Sequence, residues 1–143
     1  MEKLHRFEGQ LVVITGASRG IGEGIALRFA QEGADVVVAA NEDRVNDVSK
    51  KIEALGRRSL PVVMDVTKKE DVERLYAQTF KTFGKIDVSI QNAGVITIKK
   101  FDQLTEEEWD WVMAVNTKGV FLCCQEAAKY MVKQGYGKLI NTG

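Results

Sequence analysis

The chain has 143 residues, 45% of them hydrophobic, 28% charged and 8% aromatic, with a single proline; this is the size of one domain, and the composition supplies a packed core and excludes a disordered chain. Twenty Lys plus Arg offset twenty Asp plus Glu, and no block of like charge forms a cationic face, so neither nucleic acid nor a membrane surface is expected as a partner. The two cysteines, Cys123 and Cys124, are chain neighbours, a poor geometry for a bridge that suits a reducing cytoplasm.

The opening Met1-Glu2-Lys3-Leu4-His5-Arg6-Phe7-Glu8 scatters charges where a secretory signal needs an apolar stretch. No apolar run approaches the ~18 residues of a spanning helix, so a soluble cytoplasmic protein is expected. Leu11-Val12-Val13-Ile14 then reads as a strand buried on both faces, with a glycine-bearing turn directly after it. Ile21, Ile25, Ala26, Phe29 and Ala30 recur at helical spacing until Gly33. The alternation repeats with a strand over 36–40, a helix carrying Val45, Val48, Ile52 and Leu55 that stops at Gly56, and a strand over 60–64. A third helix carries Val72, Leu75, Tyr76, Phe80 and Phe83 and stops at Gly84; a strand follows over 87–90. A long helix is predicted over 106–134 and a fifth strand over 138–142. Thr67 with Glu70 and Thr105 with Glu108 have the spacing of reciprocal helix caps. Strands alternating with helices predict an α/β fold, a Rossmann-type doubly wound parallel sheet with helices on both faces. No repeat or linker divides the chain, so residues 1–143 are expected to form one domain.

The segment Thr15-Gly16-Ala17-Ser18-Arg19-Gly20-Ile21-Gly22 joins the first strand to the first helix. One glycine there permits a sharp turn, a second lets the backbone approach a pyrophosphate, and a third lets helix pack close to strand. The helix N-terminus adds free N–H groups and a favourable dipole. An ordinary glycine-rich loop is the bland alternative. At the end of the second strand, Ala40-Asn41 presents no carboxylate for a ribose diol, and Arg19 offers a guanidinium suited to a 2′-phosphate. NADP is therefore favoured, with NAD kept possible by the carboxylate of Glu42.

The glycine spacing resembles the T-G-x-x-x-G-x-G of the short-chain dehydrogenase/reductase family. Asp65-Val66 after the third strand, Asn92-Ala93-Gly94 after the fourth, and Asn116 within Val115-Asn116-Thr117-Lys118-Gly119-Val120-Phe121 extend the resemblance over essentially the whole chain. It implies hydride transfer between NAD(P) and a small-molecule carbonyl or alcohol. It further implies Gly16, Ser18, Arg19, Gly20, Ile21 and Gly22 on the pyrophosphate and its ribose, Asn41 at the adenosine ribose, Asp65 and Val66 on the adenine, and Asn92, Ala93 and Gly94 along the riboses. Gln91 stands where many family members have another Asn, a change the turn should survive. The stretch 104–116 resembles both 3-oxoacyl thioester reductases and sugar or polyol dehydrogenases.

The family's Ser, Tyr and Lys, the Lys four residues after the Tyr, have no counterpart here. Tyr130 and Lys133 are three apart and Tyr136 and Lys138 two apart, so only Asn116, anchor of a water relay, is a catalytic candidate. His5 lies alone on the N-terminal arm, and no metal site is expected. Cys123 and Cys124 read as small core or interface residues, and Trp109 and Trp111 as core packing on different helix faces. A sheet ending at a fifth strand, and a long helix apolar on more than one face, need covering. The chain thus reads as the N-terminal part of a longer, homo-oligomeric enzyme, inactive alone. The alternative is a catalytically silent nucleotide-binding or interaction module.

Overall fold

The computed structural model describes residues 5–143; residues 1–4, part of the charged opening stretch, lie outside them. Five strands, β1 (Leu11–Thr15), β2 (Asp35–Ala40), β3 (Ser59–Val63), β4 (Val88–Gln91) and β5 (Lys138–Asn141), form one parallel sheet in the order β3-β2-β1-β4-β5. Between them run α1 (Gly20–Gln31), α2 (Val45–Ala54), α3 (Lys69–Phe83), α4 (Glu106–Met113) and α5 (Val120–Gln134).

The period-2 alternation of a strand divides its side chains between two cores. Val12, Ile14, Val36 and Val38 face Ala26 and Ala30 of α1 and Val48 and Ile52 of α2. Leu11, Val13, Val37 and Ala39 face Val72 and Leu75 of α3 and Leu122 and Ala127 of α5. Every residue of the central β1 is buried, whereas all four residues of the edge strand β5 are exposed.

Three local expectations are corrected. Thr67 does not cap a helix: its hydroxyl donates to Asp65 Oδ1 at 2.7 Å, and α3 begins at Lys69 after an extended Lys68 with no side-chain cap. Asp65 competes for the same hydroxyl and prevails because it also accepts the Thr67 N–H at 2.9 Å. The pair at Thr105 and Glu108 does form the reciprocal cap and starts α4. The long helix over 106–134 is interrupted by a π-helical turn, Ala114–Gly119. Trp109 and Trp111 are not core residues, being 58% and 48% exposed on a helix with no buried position. A helix of two turns with no buried position offers no opposing surface to cover two indoles on different faces. Beside them Phe121 is 57% exposed, while Val115, Leu122 and Met131 turn inward.

Among the described residues, no helix is long and apolar enough to cross a membrane, and no cluster of His, Cys, Asp or Glu could hold a metal ion.

Candidate functional site

Chain order reverses between β1 and its neighbour β4, so the loops leaving their carboxyl ends diverge and leave a crevice. Two side chains hold the crevice floor. Thr15 Oγ1, at the end of β1, accepts the N–H groups of Asn92 and Ala93 at 3.1 and 3.2 Å, and Asn92 Nδ2 donates to the Gly16 carbonyl at 3.2 Å. These bonds pull the loop after β4 against the loop after β1 so closely that side chains cannot fit. A Cβ on Gly16, whose φ is +65°, would lie 2.7 Å from Ala93 Cα. One on Gly22 would lie 2.1 Å from the Gly16 carbonyl oxygen and 2.6 Å from Asn92 Nδ2. Gly22 is therefore the residue that lets α1 approach β1.

With α1 drawn in, its N-terminus opens on the crevice. Arg19 precedes the helix in an extended conformation and no side chain caps the first turn, leaving first-turn N–H groups for an anionic ligand. Gly20 has φ +58° and open space where a Cβ would project. It shapes the turn without itself forming part of the cleft wall.

The cleft has a volume of about 570 Å³, within the range of small-molecule and cofactor sites. Its wall brings together the predicted Gly16, Ser18, Arg19, Ile21 and Gly22 from the first loop, Asn41 from the end of β2, Asp65 and Val66 from the end of β3, and Asn92, Ala93 and Gly94 after β4. Met64, Val95 and Trp111, to which no motif pointed, join them, as does Val115 from the segment around Asn116. Trp111 lies near the end of α4, just before the π-helical turn. The wall combines bare main chain and the helix N-terminus with the apolar side chains of Met64 and Val66.

Asp65 has a structural task at the same time. Its Oδ1 is occupied by Thr67, and its own N–H donates to Asp71 at 2.9 Å. That N–H is the main reason the Asp71 carboxyl lies below its usual range, and Arg74 adds to it.

Asn116, in the π-helical turn, is exposed and does not line the cleft wall. Its Oδ1 accepts the Val95 N–H and its Nδ2 donates to the Val95 carbonyl, both at 2.8 Å, beside Gly94 at the rim. Behind the floor lies a buried polar chain. Tyr76 donates to Ser89 Oγ at 2.7 Å and Ser89 donates to Gln91, whose amide NH₂ reaches the Ile140 carbonyl and Asn141 Oδ1, both at 3.0 Å. The opposite orientation of the Gln91 amide sets its oxygen against acceptors alone. Gln91 thereby ties β4 to β5, and the turn that follows keeps its bonds to Thr15 and Gly16. Burial pushes the Tyr76 phenol far above its ordinary pKa, so it stays neutral.

Comparison with known proteins agrees with this architecture. The family model for short chain dehydrogenases matches residues 10–143. The chain is 36% identical over 137 residues to a 3-oxoacyl-[acyl-carrier-protein] reductase of Thermotoga maritima, covering 95% of this chain and 56% of that protein. It is 39% identical over 132 residues to an NAD-dependent glycerol dehydrogenase of Listeria innocua, covering 92% of this chain and 51% of that one. The crystal structure of a short-chain type dehydrogenase/reductase from Mycobacterium marinum superposes with a TM-score of 0.94 at 37% identity, over all of this chain and 60% of the other. The chain thus spans about half the length of the curated relatives it matches.

Proposed function

The chain belongs to the short-chain dehydrogenase family, and from that premise we propose that it is the cofactor-binding part of an NADP(H)-preferring oxidoreductase acting on a small carbonyl or secondary alcohol. The observation that carries this reading is the uncapped N-terminus of α1 opening on a cleft at the reversal point of the sheet.

In this reading the loop 16–22 receives the diphosphate through main-chain N–H groups, with Gly16 and Gly22 keeping the backbone bare and Gly20 shaping the turn. Ser18, Arg19 and Asn41 bind the adenosine ribose, Asp65 and Val66 border the adenine, and Asn92, Ala93 and Gly94 border the riboses. The bound dinucleotide supplies the hydride donor or acceptor. Asn116, held rigid by its two bonds to Val95, anchors a water at the rim of the cleft and so positions a proton relay. The groups that orient the substrate and transfer its proton, a Ser, Tyr and Lys, belong in this proposal to sequence following Gly143.

NADP preference rests on Ala40 and Asn41, which bring no carboxylate to the cleft wall, and on Arg19, 72% exposed, whose guanidinium would leave the Glu42 carboxylate 3.7 Å away in the same wall for a 2′-phosphate. Association into a homo-oligomer through the exposed face of α4 and α5, in the cytoplasm, completes the proposal. Fluorescence titration tests the cofactor: NADPH binds more tightly than NADH, and equal affinities or tighter NADH refute the preference. Intact mass tests the rest: a longer natural polypeptide carrying a Tyr and a Lys four residues apart is expected, and a chain ending at Gly143 refutes the enzyme.

A further inference from the structure

We propose that Trp111 is a base-binding residue, an aromatic side wall on which the purine base of the dinucleotide stacks. This inference rests on the reading of the cleft as a dinucleotide site with its base beside Asp65 and Val66.

The position of the indole follows from the helical stretch that carries it. Trp111, Val115 and Gly119 recur every four residues through the end of α4 and the π-helical turn, so they lie along one side of that stretch. The inner end of this row packs on the residue that follows β3. A Cβ on Gly119 would lie 2.8 Å from Val66 Cγ2, and Val115 belongs to the same core cluster as Val66. Gly119 is buried, Val115 is 9% exposed and Trp111 is 48% exposed. The row therefore climbs from the core beside Val66 to the mouth of the cleft, where the indole shares the wall with Asp65, Val66 and Thr67.

Core packing does not account for a tryptophan at this place. The helix α4 has no buried position, and among the described residues no aromatic ring pairs with the indole. Trp109, two residues earlier on a different face, is 58% exposed and forms no part of the cleft wall, so exposure alone does not bring an indole to the site. A half-exposed ring inside a cleft offers a planar apolar face, and every nucleobase presents a matching one. Stacking removes water from both faces and uses no hydrogen-bond pattern, so it holds a base without reading it. Trp111 therefore adds affinity at the adenosine half of the ligand, and its loss weakens any ligand that carries the base by the same factor.

The experiment is calorimetric titration of the whole natural polypeptide and of its Trp111→Ala, Trp111→Phe and Trp109→Ala variants with NADPH, adenosine 5′-diphosphate and inosine 5′-diphosphate. Trp111→Ala is expected to weaken all three by about tenfold. Trp111→Phe keeps a smaller ring and should recover most of that loss, and Trp109→Ala should bind as the parent does, within about twofold. Unchanged binding of adenosine 5′-diphosphate by Trp111→Ala overturns the proposal. A loss confined to NADPH overturns it as well, since the indole would then act at the nicotinamide half. So does a Trp111→Phe variant as weak as Trp111→Ala, or an equal loss in Trp109→Ala, either of which makes the effect one of helix structure rather than of stacking. A parent that binds the nucleotides while Trp111→Ala is silent refutes this inference alone. A parent that binds none of them refutes the dinucleotide reading together with it.

Discussion

Asn116 and Val95 form a closed pair across 21 residues of sequence, each satisfying both backbone or amide hydrogen-bonding groups of the other at 2.8 Å. The pair joins the π-helical turn to the loop after β4, and so fixes the rim of the cleft next to Gly94. Asn116→Ala is expected to lower stability by about 1–2 kcal/mol and to speed hydrogen exchange at the Val95 amide. Asn116→Asp retains the acceptor and should protect that amide. Unaltered exchange in the alanine variant would show that the loop is held by other contacts.

Two glycines of α1 should respond in opposite directions. Gly22→Ala places a methyl 2.1 Å from the Gly16 carbonyl oxygen, so α1 must move off β1, at a cost of at least about 3 kcal/mol. At Gly24 a Cβ meets nothing within 4 Å, and Gly24→Ala should stabilise the helix by about 0.5–1 kcal/mol. Denaturant unfolding of the two variants reads both effects, and a neutral Gly22→Ala would contradict the close approach.

The buried chain from Tyr76 through Ser89 and Gln91 to β5 carries no charge but cannot be broken freely. Tyr76→Phe removes one donor and should cost about 1 kcal/mol. Gln91→Leu leaves Ser89 unsatisfied and severs the link to Ile140 and Asn141, for an expected loss of about 2–3 kcal/mol. Equal losses in the two variants would argue against Gln91 as the bridge between strands.

Glu32 closes the other end of α1 and draws in the N-terminal arm through Arg6, while Arg28 binds the same carboxylate. Its bond to Arg6 holds the Glu32 carboxyl below the usual range. A carboxyl with a depressed pKa in the folded state binds its proton more readily when unfolded. Its stabilisation is therefore complete above the unfolded value, and is lost as pH falls through the folded one. Glu32→Gln should be less stable than the parent at neutral pH, and the gap should close on acidification below about pH 4.5. A gap independent of pH would mean that packing, not charge, explains the loss.

The adjacent thiols should differ in reactivity. Burial pushes the Cys123 thiol up to about 12 and raises Cys124 less. Alkylation of the native protein at pH 8, read by mass spectrometry, should modify Cys124 first and leave Cys123 at least about tenfold slower. Faster labelling of Cys123 would require local opening of α5.

The alternation of strand and helix, the glycine loop and the position of the cleft were legible in the chain because each depends on near neighbours. A β-branched run followed by glycines, or apolar residues three and four apart, carries its meaning wherever it packs. Strand limits moved by a residue or two, since backbone pairing decides where a strand ends. Other outcomes depended on groups distant in sequence or in competition. Thr67 had the spacing of a cap, but Asp65 reached its hydroxyl first. Trp109 and Trp111 had the hydrophobicity of core residues, but only the packing of α4 shows which surface is left to bury them. The sequence placed the Glu42 carboxylate just after the second strand, but only the pairing of β2 with β1 laid its oxygen on Ser18. Local pattern determined the framework because it is written in adjacent residues. The partners of Glu42 and Asn116 were chosen by the tertiary fold, because a hydrogen bond needs two atoms within about 3 Å, a condition set by chain folding across tens of residues.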